Sequence, residues 1–337
     1  MKKFLSLVAF GLFSTSLQAQ IKVALVFDIG GKNDRSFNQS AWEGSKKAEK
    51  DLKVMVKDVE PADTTAVQET FRNFANQNFD IIFGIGYAHA PSIEKVAKEF
   101  PKIHFALVDS MVDLPNVASL VFKEQEGSFL VGALAAMRAQ EKGGKKTLGF
   151  IGGMDIPLIH KFELGYVQGA KAIDPNVEVI VNYVGNTPTA WNDPAKAKEI
   201  ANAQIAKGAN VIYAAAGGSG NGLFDAVKEK NGEGVCLPEK KTCIYAIGVD
   251  ANQNYILPGQ ILTSMTKRVD VAVYETIKAQ SQGKFKGGLQ LFGLESNGVG
   301  YALDNNNKAL ISKEMILKVE DLKKKIISKK ITIKSEK

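Results

Sequence analysis

This chain is poor in cysteine, histidine and tryptophan, with two, three and two residues among 337. Each shortage excludes something. Two cysteines are too few for a disulfide-framed miniature fold or a four-cysteine zinc centre, and His89, His104 and His160 all lie far from them in sequence. There is no H-E-x-x-H pair, no G-x-S-x-G elbow and no recognisable Cys/His setting, so metallopeptidase and α/β-hydrolase chemistry lack their residues. The G-x-G-x-x-G fingerprint is missing too. GIGYAHA and GGSGNG (Gly217–Gly222) both depart from its spacing, and no lysine completes a P-loop. No metal and no cofactor is expected.

Long apolar runs are also scarce. One run, Phe4 to Leu17, follows Lys2 and Lys3 and gives way to small or polar residues up to Ala19. It is too short for a membrane anchor and has the order of a secretory signal peptide, residues 1–19, cleaved after Ala19. No cysteine lies near that junction, so a lipid anchor would have no attachment point, and the expectation is a freely soluble periplasmic protein. In an oxidising compartment Cys236 and Cys243, separated by a short polar connection in CLPEKKTC, are expected to form a disulfide. A metal pair or two free thiols are the alternatives.

A strong charge of one sign is absent from most of the chain. The formal charge is +7, but Lys2 and Lys3 contribute two of it, and Lys318–Lys337 holds eight lysines against Glu320, Asp321 and Glu336. Residues 21–317 are close to neutral, without a basic stripe carrying interleaved aromatics, so nucleic acid is not an expected partner. The lysine-rich end reads as a solvated helix face and tail.

What is present is a repeated order of apolar run, turn and amphipathic helix. KVALVF, VMVKDV, DIIFGIG, IHFALVD and VASLVF read as strands, several apolar throughout, as suits parallel strands covered on both faces. A second series follows in KTLGFIG, VEVIVNYV, NVIYAAAG and IYAIGVD, and then ILTSMT, GLQLFGL and GVGYAL. Helices are expected at Ser36–Lys50, Thr64–Asn76, Pro91–Glu99, Leu158–Ile173, Asp193–Lys207, Gly222–Lys230, Val269–Gln280 and Met315–Ile326. About 317 mature residues exceed one ordinary core. Two βα series predict two doubly wound α/β lobes joined by several short crossovers. The expected division is 20–122 plus 252–283 for one lobe and 123–251 plus 284–337 for the other.

Polar groups recur where strands end. Asp28 follows VALVF, Asp109 follows IHFALV, Asp250 follows IYAIGV, Lys267 follows ILTSMT and Gly217 follows VIYAAA. Parallel strands place these ends on one edge, and the edges of two lobes can face one cleft. Helix capping is the competing explanation for any single Asp. Three carboxylates and one ammonium suit a neutral ligand rich in N–H and O–H donors and repel a phosphate.

VFDIGGKNDRSFNQSAWEG, FALVDS, NVASLVFKEQEGSFLVGALA, YVGNTPTAWNDPAKAKEIA, AAGGSGNG, AIGVDANQ and LTSMTKRVDVAVYETI, in this order from about Lys22 to about Ala302, resemble the basic membrane protein (BMP) family. Those are substrate-binding proteins of ABC importers, similar to purine-nucleoside receptors. The resemblance implies a type I periplasmic-binding-protein fold and a nucleoside, of the purine class, held between the lobes for an ABC permease, by a monomer that is not an enzyme. Phe37 and Trp191 would stack on the base, Trp191 standing where the family usually has Phe. Asp28 and Asp109, with Asn33 beside them, would accept base N–H bonds. Asp250 and Lys267 would hold the ribose, helped by a backbone N–H of Gly217 or Gly218. A sensing receptor subunit and a nucleoside-processing enzyme are the alternatives.

Overall fold

Crossover helices cover both faces of a parallel sheet, which is why its strands read as continuous apolar runs. The computed structural model describes residues 20–61, 63, 65–142, 146–237 and 242–337. The expected signal segment lies outside the described residues. Strands β1 (Lys22–Val26), β2 (Met55–Val59), β3 (Ile81–Ile85), β4 (His104–Val108) and β5 (Val117–Phe122) are interleaved with helices α1 (Phe37–Leu52), α2 (Val67–Asn76) and α3 (Ala90–Glu99). Helix α4 (Glu124–Lys142) leads to β6 (Thr147–Met154), α5 (Pro157–Ile173), β7 (Glu178–Gly185), α6 (Pro194–Ala206) and β8 (Ala209–Ala215). Then come α7 (Asn221–Asn231), β9 (Tyr245–Asp250), β10 (Ile261–Lys267), α8 (Val269–Ser281), β11 (Gly288–Phe292), β12 (Val299–Tyr301) and α9 (Lys313–Ile327).

Two six-stranded sheets result among the described residues, in the orders β11-β5-β4-β3-β1-β2 and β12-β10-β9-β8-β6-β7. Within them β2-β1-β3-β4-β5 and β7-β6-β8-β9-β10 repeat one doubly wound order. Every pairing is parallel except that of β12 with β10. Each lobe therefore has a topological switch point, between β1 and β3 and between β6 and β8, where such sheets leave a crevice at their carboxyl ends.

The chain passes between the lobes three times, at Phe122–Glu124, Lys267–Val269 and Phe292–Leu294. The expected lobe boundaries are corrected here. Strand β10 pairs with β9 in the second sheet, whereas α8 packs on α1 and β11 pairs with β5 in the first. Apolar periodicity identifies a buried strand but carries no signal for which of two sheets receives it. Helix α4 was not expected at all. It packs against α5, β10, β12 and α9, so its apolar residues surround it rather than forming one stripe.

Helices α4 and α5 touch backbone to backbone. A Cβ placed on Gly132 would overlap the Tyr166 carbonyl, one on Gly165 the Gln125 carbonyl, and one on Gly169 the Phe129 carbonyl. Gly169→Ala is accordingly expected to destabilise the protein by about 1–3 kcal/mol, because backbone cannot step aside as a side-chain tip can. A urea midpoint equal to that of the unsubstituted protein would show that the helices separate without cost.

Cys236 and Cys243 form a disulfide, with Cα atoms 5.8 Å apart. Closing so short a loop restrains the unfolded chain by about 2 kcal/mol on the loop-entropy model. The lysine-rich end is ordered. Met315, Val319, Leu322 and Ile326 of α9 are buried, and the Lys334 backbone exchanges two hydrogen bonds of 3.0 Å with the Gln168 amide.

Candidate functional site

The strand ends from both lobes line one cavity, with about 560 Å³ of space between atoms when the part open to solvent is counted. The first lobe contributes Asp28, Asp34, Phe37, Asn38, Tyr87 and Asp109, and the second contributes Phe162, Trp191, Gly217, Asp250 and Lys267. The lobes touch across it. Ser36 Oγ donates to Asp250 Oδ2 at 2.5 Å, Gln253 Nε2 to the Arg35 carbonyl at 2.9 Å, and Tyr87 Oη reaches Met154 Sδ at 3.6 Å.

Two carboxylates are aimed by unusual backbone. Asp109 and Asp250, each one step beyond or at the end of its strand, have φ of 69° and 62°, a region that L-residues rarely occupy. Strand geometry would turn these side chains toward the sheet faces, whereas here they line the cleft. Lys267 at the end of β10 is 1 % exposed and reaches Asp109 Oδ2 at 2.6 Å and Glu124 Oε1 at 3.1 Å. Its ammonium lies 5.2 Å from the ring centroid of Phe37, 5.0 Å from Phe122 and 5.5 Å from Phe162. Burial acts to depress the ammonium, but Asp109, Glu124 and Asp250 outweigh it and hold its pKa above the ordinary lysine value.

Burial pushes up all four cleft aspartates. Asp109 rises to about 6, with Lys267 opposing and Glu124 adding to the shift, and Asp250 and Asp28 rise for the same first reason. Asp34 rises to about 7 although it accepts the backbone N–H groups of Ser36, Asn38 and Gln39 at 2.8, 2.9 and 3.1 Å. Those three bonds make Asp34 the cap of α1. Asp28 Oδ1 takes the Asn38 amide at 2.7 Å and the Gly30 N–H at 2.9 Å. Asp109 Oδ1 is buried without a hydrogen-bond partner.

Trp191 lies in the short 3-10 turn Pro188–Trp191 beyond β7, with its ring against Gly153 of β6, where any Cβ would overlap it. Asp28, Phe37, Asp109, Trp191, Gly217, Asp250 and Lys267 thus meet at one cavity. Two expected residues do not. Asn33 is exposed, and Asp34 and Asn38 line the cavity in its place, because the turn into α1 points alternate side chains outward. Gly218 is buried outside the lining, with the Trp191 carbonyl 3.2 Å from where its Cβ would stand. Glu124, Phe162 and Tyr87 were missed. Glu124 stands two residues beyond β5, at the start of α4, where the residue that directly follows the strand is Lys123, and Phe162 and Tyr87 likewise carry no strand-end signal.

The profile of a family described as ABC transporter substrate-binding protein PnrA-like matches residues 21–337. The chain is 34 % identical to the ABC transporter nucleoside-binding protein BmpA of Lactococcus lactis, covering 96 % of this chain and 92 % of that one. It is 36 % identical to an uncharacterized lipoprotein of Pyrococcus horikoshii, covering 83 % of this chain and 68 % of that one. A crystal structure of an ABC transporter system solute-binding protein from Aeropyrum pernix superposes with a TM-score of 0.84 at 31 % identity, over 94 % of each chain. The two parallel-sheet lobes share that fold, the type I periplasmic-binding-protein architecture. One expectation is overturned. Relatives named as lipoproteins contradict a freely soluble location argued from a missing cysteine, since that absence bears on one attachment chemistry and not on where the protein works.

Proposed function

The chain belongs to the Bmp family of PnrA-like ABC transporter substrate-binding proteins, and from that premise we propose that the cargo of its cleft is a nucleoside, with purine nucleosides the first class to test. The observation that carries this reading is the meeting of two aromatic side chains, Phe37 and Trp191, with Asp28, Asp109, Asp250 and Lys267 at one cavity. Aromatic faces hold a base of any identity by about 1–3 kcal/mol each. Asp28 and Asp109 supply acceptors for base N–H groups, and bonds to a carboxylate are stronger and more directional than neutral ones. Asp250 and Lys267 offer one acceptor and one donor to ribose hydroxyls, with the Gly217 N–H beside them. The name of the lactococcal relative agrees with this cargo.

The activity proposed is capture and delivery without turnover, with an ABC permease as the partner. One copy suffices, since one chain supplies both walls. Residues 1–19 are read as the export signal of such a receptor. Cargo favours closure by the contacts it makes with both lobes at once. The test is isothermal titration of protein unfolded and refolded to strip cargo, against guanosine, adenosine, inosine, cytidine, uridine, free bases and ribose. Tight binding of nucleosides with weak ribose and bases is expected, and a folded protein that binds none of them overturns the reading. Product formed during incubation with a nucleoside would overturn delivery without turnover.

The raised carboxyl pKa values give a pH dependence with a definite sign. A carboxyl whose folded pKa lies above its unfolded value binds more protons when folded, so its contribution to stability is full below the unfolded value and falls as pH rises through the folded one. For Asp109 that window runs from its ordinary value of 3.8 to about 6. The cargo-free protein is expected to lose thermal stability between those pH values, and affinity is expected to rise over the same range as Asp109 becomes a full acceptor. A melting temperature that climbs with pH across this window in the cargo-free protein would contradict the assignment.

A further inference from the structure

Beyond Trp191 and Tyr87 lies a second cavity, with about 530 Å³ of space between atoms when the part open to solvent is counted, that shares Asp28, Tyr87 and Trp191 with the first. Phe27, Val67, Ala88 and Pro188 give it apolar walls, and among the described residues no lysine or arginine lines it. Its polar groups, apart from the shared ones, are Ser92 of α3 and His89. His89 is 3 % exposed and stands edge-on to Phe71, and its Nε2 is buried with no hydrogen-bond partner. Burial lowers its pKa to about 4, against the pull of the Phe27 and Ile85 carbonyls, so the imidazole is neutral. Nothing in the main site uses this space.

We propose that this annexe is a binding subsite for an apolar, uncharged extension on the nucleobase, an alkyl or aryl group carried on the exocyclic nitrogen, so that the cargo includes nucleosides modified there. The proposal rests on the nucleoside reading above. Asp28 connects the two spaces. A base N–H that donates to Asp28 sits at the opening of the annexe, so a substituent on that nitrogen enters it while the second N–H keeps its bond. The apolar walls favour hydrocarbon, and the neutral imidazole adds no charge to them. A phosphate or carboxylate extension would meet Asp28 with no cation in the lining.

The experiment titrates cargo-stripped protein with adenosine and N6-benzyladenosine, and with guanosine and N2-benzylguanosine, in the unsubstituted chain and in Ser92→Phe. Ser92 is half-buried and borders the annexe alone, so the new ring fills that space and leaves the main cavity intact. Benzylated nucleoside is expected to bind the unsubstituted chain at least as tightly as its parent, and Ser92→Phe to weaken the benzylated form about tenfold or more while moving the parent less than about twofold. Parent binding with benzylated nucleosides weaker by about tenfold or more overturns the annexe and leaves the nucleoside reading standing. Equal effects of Ser92→Phe on both forms, or none on either, also overturn it. If no nucleoside of either kind binds, the nucleoside reading fails and takes the annexe with it. Ala88→Phe, at an exposed position that borders the annexe and not the main cavity, covers the case in which Ser92→Phe does not fold, with the same differential expected.

Discussion

Lys267→Met is expected to cost about 3–5 kcal/mol of stability, the typical penalty for removing one partner from a buried ion cluster. The lysine is 1 % exposed, and its ammonium faces Asp109 and Glu124 while three aromatic rings exclude water from it. Without it, Asp109 and Asp250 remain in low dielectric with no cation beside them among the described residues, and Glu124 keeps only Lys161, at 3.4 Å. A pair on the surface would matter little, at about 0–1 kcal/mol, because water replaces the lost partner. Here no water does. Set against the roughly 5–15 kcal/mol by which domains are stable, the loss is large. Urea unfolding of cargo-free protein checks it, with a lower midpoint at unchanged slope as the expected result. The deficit should shrink on acidification, since protonating the orphaned carboxylates removes the charge the lysine had balanced. A loss under about 1 kcal/mol at neutral pH would mean that the cluster is hydrated and that Lys267 does not set the electrostatics of the cleft.

Trp191→Ala tests the cargo side of the site. A ring stacked on a base contributes about 1–3 kcal/mol, so affinity should fall by roughly five- to 150-fold. Trp191 is only half-buried and sits on the cleft side of Gly153, so its removal opens the cavity without emptying a core. Stability is expected to move far less than affinity, and Trp191→Phe is expected to keep most of the binding by keeping a face. Calorimetry of the two variants beside the unsubstituted chain makes the comparison. Near-unchanged affinity in Trp191→Ala, with the protein folded, would take the stacking role away from this residue.

Much of the architecture was legible because parallel strands in a doubly wound sheet carry a simple signal. KVALVF, DIIFGIG, IYAIGVD and the other runs each became a strand, since a segment buried on both faces has no polar alternation to mislead the reader. Legibility ended where one pattern served two outcomes. ILTSMT and GLQLFGL were readable as strands, but partner choice depends on three-dimensional packing, and each went to the lobe opposite to the one expected. Helix α4 escaped for a related reason: EQEGSFLVGALAAMRAQEK is surrounded on every side, so it lacks the polar stripe by which amphipathic helices are recognised. At the site, strand-end charges located Asp28, Asp109, Asp250 and Lys267. Asn33 and Asp34 are adjacent, and only the backbone of the turn decides which of them faces inward. Glu124 was hidden at the start of the helix that was itself missed.

The pairing of β11 with β5 has a consequence for how the molecule comes into being. Gly288 lies beside Ala118 and Phe292 beside Phe122, so the first sheet receives its sixth strand only after β6 to β10 of the second lobe have been made. A ribosome delivers the first five strands long before that one. Until it arrives, β5 presents an open edge, and α1 lacks the helix α8 that covers it. The early segment is therefore an incomplete domain with exposed apolar surface, a poor candidate for premature folding and a good one for a holding chaperone.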